Sequence, residues 1–355
     1  MITMKDVAKA AGVSQASVSY AYSGSPRVSA KQRNQIFTVA AELGYTGPNV
    51  AGSTLRLGRI GAVGVLIPGS LGLAVEDPST MLLMKGLVEV GELADVALTL
   101  IPVDRAGVAG GQEPTKPAAL RGLVDGVVMH CLPNDHPVVA AVLERRMPAV
   151  AIDSPRVANM PYVTIDHRAA GEAQAEHVLG LGHRRIGIIT DRLGGPFKPG
   201  FRLLSDIDTA TETYIRERLL GYRDAIAAAG LLDDDVVLAE AADIDMASGM
   251  AAADRILNDF APTAILATSD VHAVAALKVL RGKGVSVPED VSVIGFDDAP
   301  IADLLGVTTI RQPLQEKGRT AAKMLLDLIA GNTRRRSVKR TELVIRSTTG
   351  PVSRR

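Results

Sequence analysis

Apolar positions change their period along this chain of 355 residues, and the change divides it. Up to about residue 45 they recur at helical spacing: Val7, Ala8 and Ala11, then Val18, then Ile36, Val39, Ala40 and Leu43. Thr3, with Asp6 three residues on, forms an acidic variant of the capping box. Gly12 stands where a helix must stop and turn, because glycine enters the left-handed region without steric cost. Ser14 can cap a second helix, and Ser29, three residues before Gln32, a third that ends at Gly44. The pattern predicts three short helices, the first two broken at Gly12-Val13-Ser14. A tight turn between two helices is the unit that pushes its second helix into the major groove of DNA.

From residue 60 onward, short apolar runs alternate with amphipathic stretches, the signature of βαβ units and a parallel sheet. Strands are predicted at 60–67, 96–102, 125–130, 149–152, 185–190, 264–267 and 291–296, with a late strand at 341–346. Helices are predicted at 79–94, 136–146, 168–181, 211–229, 246–259, 271–283 and 314–330. Two α/β lobes of about 130 residues fit this length better than one sheet. The Gly/Pro-rich segment 192–205 reads as a long loop of the kind that shapes a site.

Composition narrows the class. The chain is 47% hydrophobic, enough for more than one core, yet no run approaches the roughly 18 apolar residues of a membrane helix. The N-terminus does not read as a basic-then-apolar leader, so a cytoplasmic location with no membrane partner is expected. A lone cysteine, Cys131, excludes an internal disulfide and a multi-cysteine metal site; at the end of an apolar run it reads as a buried structural thiol.

Charge adds the decisive asymmetry. Residues 1–59 hold seven Lys/Arg against two Asp/Glu, a net of +5, in a chain whose totals balance at 39 against 39. Positive charge gathered at one end of a neutral protein is the footprint of a DNA-binding head. A solute-binding transport protein would carry a leader and no basic head. A nucleotide-dependent enzyme would need a phosphate loop after the first strand, whereas Gly61, Gly64, Gly69 and Gly72 have the wrong spacing. No Ser-His-Asp or metal constellation presents itself, so no catalytic residue, cofactor or metal is expected.

Several phrases then carry a resemblance: Leu43-Gly-Tyr45, Leu181-Gly-His-Arg-Arg-Ile-Gly-Ile-Ile189, Arg218-Leu-Leu-Gly-Tyr-Arg223 and Ala267-Thr-Ser-Asp270. Val287-Pro-Glu-Asp-Val-Ser-Val-Ile-Gly-Phe-Asp-Asp298 and Thr308-Thr-Ile-Arg-Gln-Pro313 complete the set. In this order and spacing the chain resembles LacI/GalR-family transcriptional regulators, the lactose- and galactose-repressor type, over essentially its full length. The resemblance implies an all-α helix-turn-helix head (1–46), a hinge (47–59) and a periplasmic-binding-protein-like effector and dimerisation core (60–355) of two parallel-sheet lobes. The N-lobe would span about 60–163 plus 313–335 and the C-lobe about 164–311 plus 336–350, joined by three crossovers with an effector between them.

Strand ends are where such a cleft binds, and Ser70, Asp153, Asp191, Ser269, Asp270 and Asp297 fall there. By resemblance, Ser70, Asp153, Arg218, Ser269, Asp297 and Gln312 would contact the effector, while Asp298 would brace its loop. A sugar or sugar derivative is what the resemblance implies; phosphorylated sugars, nucleosides and a ligand-free mode stay open. The chain has no Trp, and Phe197, Phe201 and Phe296 are the aromatic candidates near the cleft.

In the head, Gln15, Ala16 and Tyr20 would read bases, with Tyr20 standing where many relatives have arginine. Thr3, Ser14, Ser17, Ser19, Lys31 and Arg33 would hold phosphates. Leu55 would wedge into the minor groove, with Arg56 beside it. The implied protein is a repressor on pseudo-palindromic operator double-stranded DNA, controlled by its effector. Helices 79–94 and 271–283 would form the dimer surfaces, and a tail without a leucine heptad implies a homodimer, not a tetramer.

Overall fold

A computed structural model describes residues 2–47, 60–90, 96–104, 123–194, 197, 200–332 and 336–353. The chain forms two compact units, Met1–Gly61 and Ala62–Arg355. In the first, α1 (Met4–Ala11), α2 (Gln15–Tyr22) and α3 (Ala30–Glu42) bury Val7, Val18 and Ile36 completely against one another. Gly12 ends α1 at φ +66°, Ser14 caps α2 through the Ser17 amide, and Ser29 caps α3 through the Gln32 amide.

The second unit holds two sheets. In the first, β1 (Ala62–Pro68), β2 (Ala97–Val103), β3 (Gly126–His130), β4 (Ala149–Ile152), β5 (Tyr162–Ile165) and β12 (Arg336–Lys339) lie in the order β12-β5-β4-β3-β1-β2, all parallel. One face packs on α6 (Pro137–Glu144), the other on α5 (Pro78–Val88) and α12 (Leu314–Ile329). A short α4 (Leu71–Glu76) follows β1. Strands covered on both faces read as continuous apolar runs, which is why β1, β3 and β4 stand out in the sequence.

The second sheet has the order β13-β11-β10-β9-β6-β8-β7. Its strands are β6 (Ile186–Thr190), β7 (Phe201–Arg202), β8 (Val236–Glu240), β9 (Ala264–Ala267), β10 (Ser292–Asp297), β11 (Thr308–Arg311) and β13 (Glu342–Val344). Only the edges, β7 and β13, run antiparallel. Helices α7 (His167–Gly180) and α8 (Thr213–Ala228) cover one face; α9 (Met246–Asp259), α10 (Asp270–Gly282) and a short α11 (Pro300–Leu304) cover the other.

The chain passes between the sheets three times: after β5, between β11 and α12, and between β12 and β13. The last passage corrects the expected lobe boundary. The resemblance implies a return to the second lobe at 336, but Arg336–Lys339 pairs with Tyr162–Ile165 of the first sheet, so the return follows Lys339. Short β12, Arg-Ser-Val-Lys on a sheet edge, has no apolar run to betray it. Helix α5 ends at Val88, short of the expected 94.

Two helix pairs cross with glycine in the contact. A Cβ added at Gly86 of α5 would collide with the Gln315 carbonyl, and one at Gly318 of α12 with that of Leu83. Gly171 of α7 and Gly221 of α8 stand likewise against Arg218 and Arg168 carbonyls. Backbones this close leave no room for a methyl group. Gly86→Ala or Gly221→Ala is therefore expected to cost about 1–3 kcal/mol, read as a lowered urea midpoint. Gly180→Ala, at a helix position with nothing within 4 Å, should leave the midpoint unchanged or raise it.

Candidate nucleic-acid interface and interlobe cleft

In the head, Val18 and Ala21 of α2 face the core, leaving Gln15, Ala16 and Ser19 exposed and Tyr20 half-buried beside them. The expected phosphate contacts divide. The Thr3 hydroxyl donates to Asp6 at 2.7 Å and the Thr3 amide to the same oxygen at 2.9 Å, and these bonds hold the Asp6 carboxyl below its usual range. With its hydrogen so engaged, Thr3 can donate to a phosphate only by releasing the cap. Ser14 Oγ accepts from the Ser17 amide at 3.0 Å and lies 2.9 Å from the Ser17 hydroxyl, so one of that pair keeps a hydrogen to give.

Lys31 is exposed, whereas half-buried Arg33 donates to the Ser25 carbonyl at 2.9 Å and pins the loop after α2. Arg27, absent from the expected set, donates to the Tyr20 hydroxyl. Leu55 and Arg56 lie outside the described residues.

The second site lies at the carboxyl ends of strands from both sheets, around a cavity of about 80 Å³. Asp153, Arg218, Ser269, Asp297 and Gln312 all line it, brought from β4, α8, the start of α10, β10 and a crossover. Ser70 does not: it is exposed ahead of α4, where its carbonyl accepts from the Ala74 amide. Three lining residues at strand ends have left-handed backbones, Cys131 (φ +52°), Asp153 (+62°) and Asp297 (+118°). Non-glycine residues persist there only when their surroundings over-determine them, and such strain gathers at binding sites.

What over-determines them is a buried network. Asp153 accepts from Lys317 Nζ, from His167 Nε2 at 2.9 Å and from Thr164 Oγ1 at 3.1 Å. Lys317 is fully buried and also donates to Gln312 Oε1 at 2.7 Å, and Gln312 Nε2 donates in turn to Asp297. On the other arm, His167 Nδ1 accepts from Arg218 Nη2 at 3.2 Å, which leaves the ring hydrogen on Nε2, facing Asp153. Arg218 also donates to the Thr268 carbonyl and stacks 3.3 Å from the Phe296 ring centroid.

Burial alone would raise the Asp153 carboxyl, but Lys317 and His167 hold it well below the usual carboxylate range. Asp297 goes the other way. Burial lifts it well above that range, the attraction of Arg218 only partly opposing, so it can carry a proton and donate. Burial also drives His167 down to about 4, leaving the ring neutral.

Behind the cavity, Ser269 caps α10, and Asp270 ties β10 and β11 by accepting from the Ala299 amide and Thr309 hydroxyl, both at 2.7 Å. Asp298 takes Arg311 and Arg346, as a loop brace would. Cys131, expected as a buried structural thiol, is instead partly exposed on the cavity wall; a positive φ turns it there from the end of β3. Phe296 packs under Arg218, and Phe197 and Phe201 are exposed, so Tyr214 is the aromatic among the described lining residues. Asp77, Thr80 and Asp191 also line the cavity, and only Asp191 carried a sequence signal, its place at a strand end.

Residues 3–49 match the family described as bacterial regulatory proteins, lacI family, and residues 175–349 match the periplasmic binding protein-like domain. A transcriptional regulator of Mycolicibacterium smegmatis is 35% identical, covering 98% of this chain and 96% of its own. Among solved structures, a LacI-family regulator from Corynebacterium glutamicum superposes with a TM-score of 0.74 at 28% identity, covering 97% of this chain and 98% of its own. A complex of the regulator CelR with cellobiose gives 0.68 at 29%, over 98% and 100%.

Two outcomes test the network. Lys317→Met leaves the Asp153 charge buried without its cation and should cost about 3–5 kcal/mol; adding Asp153→Asn should recover part of that in a double-mutant cycle. His167 is neutral when folded down to about 4, whereas the unfolded ring titrates near 6.5. Its stabilising share is thus complete above 6.5 and fades as pH falls towards 4. Denaturation midpoints of wild type and His167→Gln should accordingly converge over that window.

Proposed function

Since the chain belongs to the lacI family of bacterial regulatory proteins, we propose that it is a dimeric operator-binding repressor controlled by an uncharged, sugar-like effector held between its lobes. It carries out no catalysis in this reading and acts in the cytoplasm; no described helix is long and apolar enough to cross a membrane. The head, 1–46, reads DNA, 47–59 is the hinge, and the rest senses. Gln15, Ala16 and Tyr20 meet base edges, Ser14, Ser17, Ser19 and Lys31 meet phosphates, and Arg33 serves mainly to hold its loop. Leu55 and Arg56 enter the minor groove. Exposed Met81 and Val88 on α5 supply apolar surface for the second copy that a two-fold operator requires.

The observation that carries the effector reading is the convergence of Asp153, Arg218, Ser269, Asp297 and Gln312 on one interlobe cavity. Its chemistry selects the ligand. Asp77, Asp153, Asp191, Glu212, Asp243 and Asp297 line it, against the single arginine, Arg218, among the described lining residues. A phosphate ester would set like charges together in a poorly solvated space. Neutral hydroxyls both donate and accept, matching Asp153, held low by Lys317 and His167, as acceptor and Asp297, raised by burial, as a group able to donate. The CelR–cellobiose complex is a relative with such a ligand.

Small-molecule sites commonly measure about 300–1,000 Å³, so a cavity of about 80 Å³ admits a sugar only as the lobes part. That movement is the differential contact by which the ligand shifts DNA affinity.

Calorimetry of the full-length protein with neutral mono- and disaccharides and their phosphate esters, repeated on operator DNA, tests this. A neutral sugar should bind and change operator affinity at least fivefold, the low end of ordinary allosteric coupling. Arg218→Met should abolish that binding while operator binding without sugar persists. Tighter binding of a phosphate ester overturns the assignment.

A further inference from the structure

Among the described residues, the full charge that bonds to the exposed face of α2 comes from outside that helix. Gln15, Ala16 and Ser19 are uncharged, and Tyr20 follows Ala16 by one turn, placing its ring at the C-terminal end of the same face. Arg27 belongs to the loop between α2 and α3. Its Nη1 donates to the Tyr20 hydroxyl at 2.9 Å, and its guanidinium carbon lies 5.3 Å from the Tyr20 ring centroid. The loop is anchored on both sides of this contact: Arg33 holds the Ser25 carbonyl, the Arg27 amide donates to Ser25 Oγ at 3.3 Å, and Val28 is buried in the core. Arg27 itself is exposed and meets no carboxylate among the described residues.

The geometry points to Tyr20 and Arg27 as one composite base reader whose target is guanine. The tyrosine oxygen accepts from the arginine, so its own hydrogen is free to be given, and the guanidinium has no acceptor at all. The guanidinium brings donors alone and the hydroxyl adds its hydrogen, so the pair sets two donors side by side towards the groove. In the major groove guanine presents two acceptors, N7 and O6, side by side with no donor. Adenine pairs an acceptor with a donor, cytosine presents a donor, and thymine one acceptor beside a methyl group. Two adjacent donors match the two acceptors of guanine, whereas each other base offers at most one. Tyr20 thus reads through Arg27, and the specificity that an arginine in α2 would give arrives from the following loop.

This inference rests on the proposal that α2 enters the major groove, and the test separates the two. Full-length wild type, Arg27→Gln, Tyr20→Phe and Gln15→Ala are each selected against randomised duplexes, and their affinities measured at several salt concentrations. Wild type should select a half-site with one strongly preferred guanine. Arg27→Gln should lose about tenfold or more of the preference at that position while keeping the others. Tyr20→Phe, which retains the ring but not the hydroxyl, should relax the same position, and Gln15→Ala a different one. If Arg27→Gln instead weakens all sequences equally and lowers the salt slope by about one, Arg27 is a phosphate contact and the inference is overturned. An unchanged motif in Arg27→Gln overturns it as well. A wild type that selects no motif sinks the reading of the head itself.

Discussion

A lysine ammonium with no access to water, Lys317 against Asp153, is the constraint around which the core is arranged. Taking two charges out of water costs several kcal/mol per ion, and mutual attraction repays this only when the remaining valences are filled. Here they are filled by groups from both lobes: Thr164 at the end of β5, His167 at the start of α7 and Gln312 in the second crossover. The network therefore closes only when the lobes stand in one relation to each other. Changing that relation would have to break bonds that join the lobes here, those of His167 to Asp153 and of Gln312 to Asp297.

That constraint also explains the opposed states of the two cleft carboxyls. Asp153 and Asp297 both end buried strands and both have left-handed backbones. Asp153 has a lysine and an imidazole N–H, and stays charged. Asp297 receives the amide of Gln312, whose oxygen is already committed to Lys317, and burial pushes its carboxyl well above the usual range. One side chain, Gln312, thus separates a permanent acceptor from a potential donor across the cavity.

Much of this was legible in the sequence, for identifiable reasons. Val7, Val18 and Ile36 gave the head by their spacing, and two-sided burial made β1, β3, β4, β6, β9 and β10 read as apolar runs. Asp153, Arg218, Ser269, Asp297 and Gln312 were found from strand ends and family phrases. Strand β8 was missed because three consecutive aspartates, Asp233 to Asp235, lead into it, and β12 because an edge strand need not be apolar. Lys317 left a trace that was not read: it falls on the stripe of Leu314, Ala321 and Leu325, where a lysine in an amphipathic helix has no ordinary place. Its partner could not be inferred, since Asp153 is 164 residues away. Arg27 was missed because a loop residue gains its role from a contact rather than from a period.

The threefold passage between lobes has a consequence during synthesis. The first sheet cannot complete itself from the residues made first: β5, paired with β4, lacks its outer neighbour until Arg336–Lys339 emerges, and one face has only α5 over it until α12 arrives. While most of the second lobe is being made, the nascent chain thus carries a sheet with an open edge and a half-covered apolar face, the kind of surface that recruits chaperones or aggregates. The second lobe has its main helices in place by Leu304 and β11 by Arg311, and then needs only the short β13 to finish its edge. In the order of biogenesis, the later lobe is nearly whole while the earlier one is still waiting for its last strand.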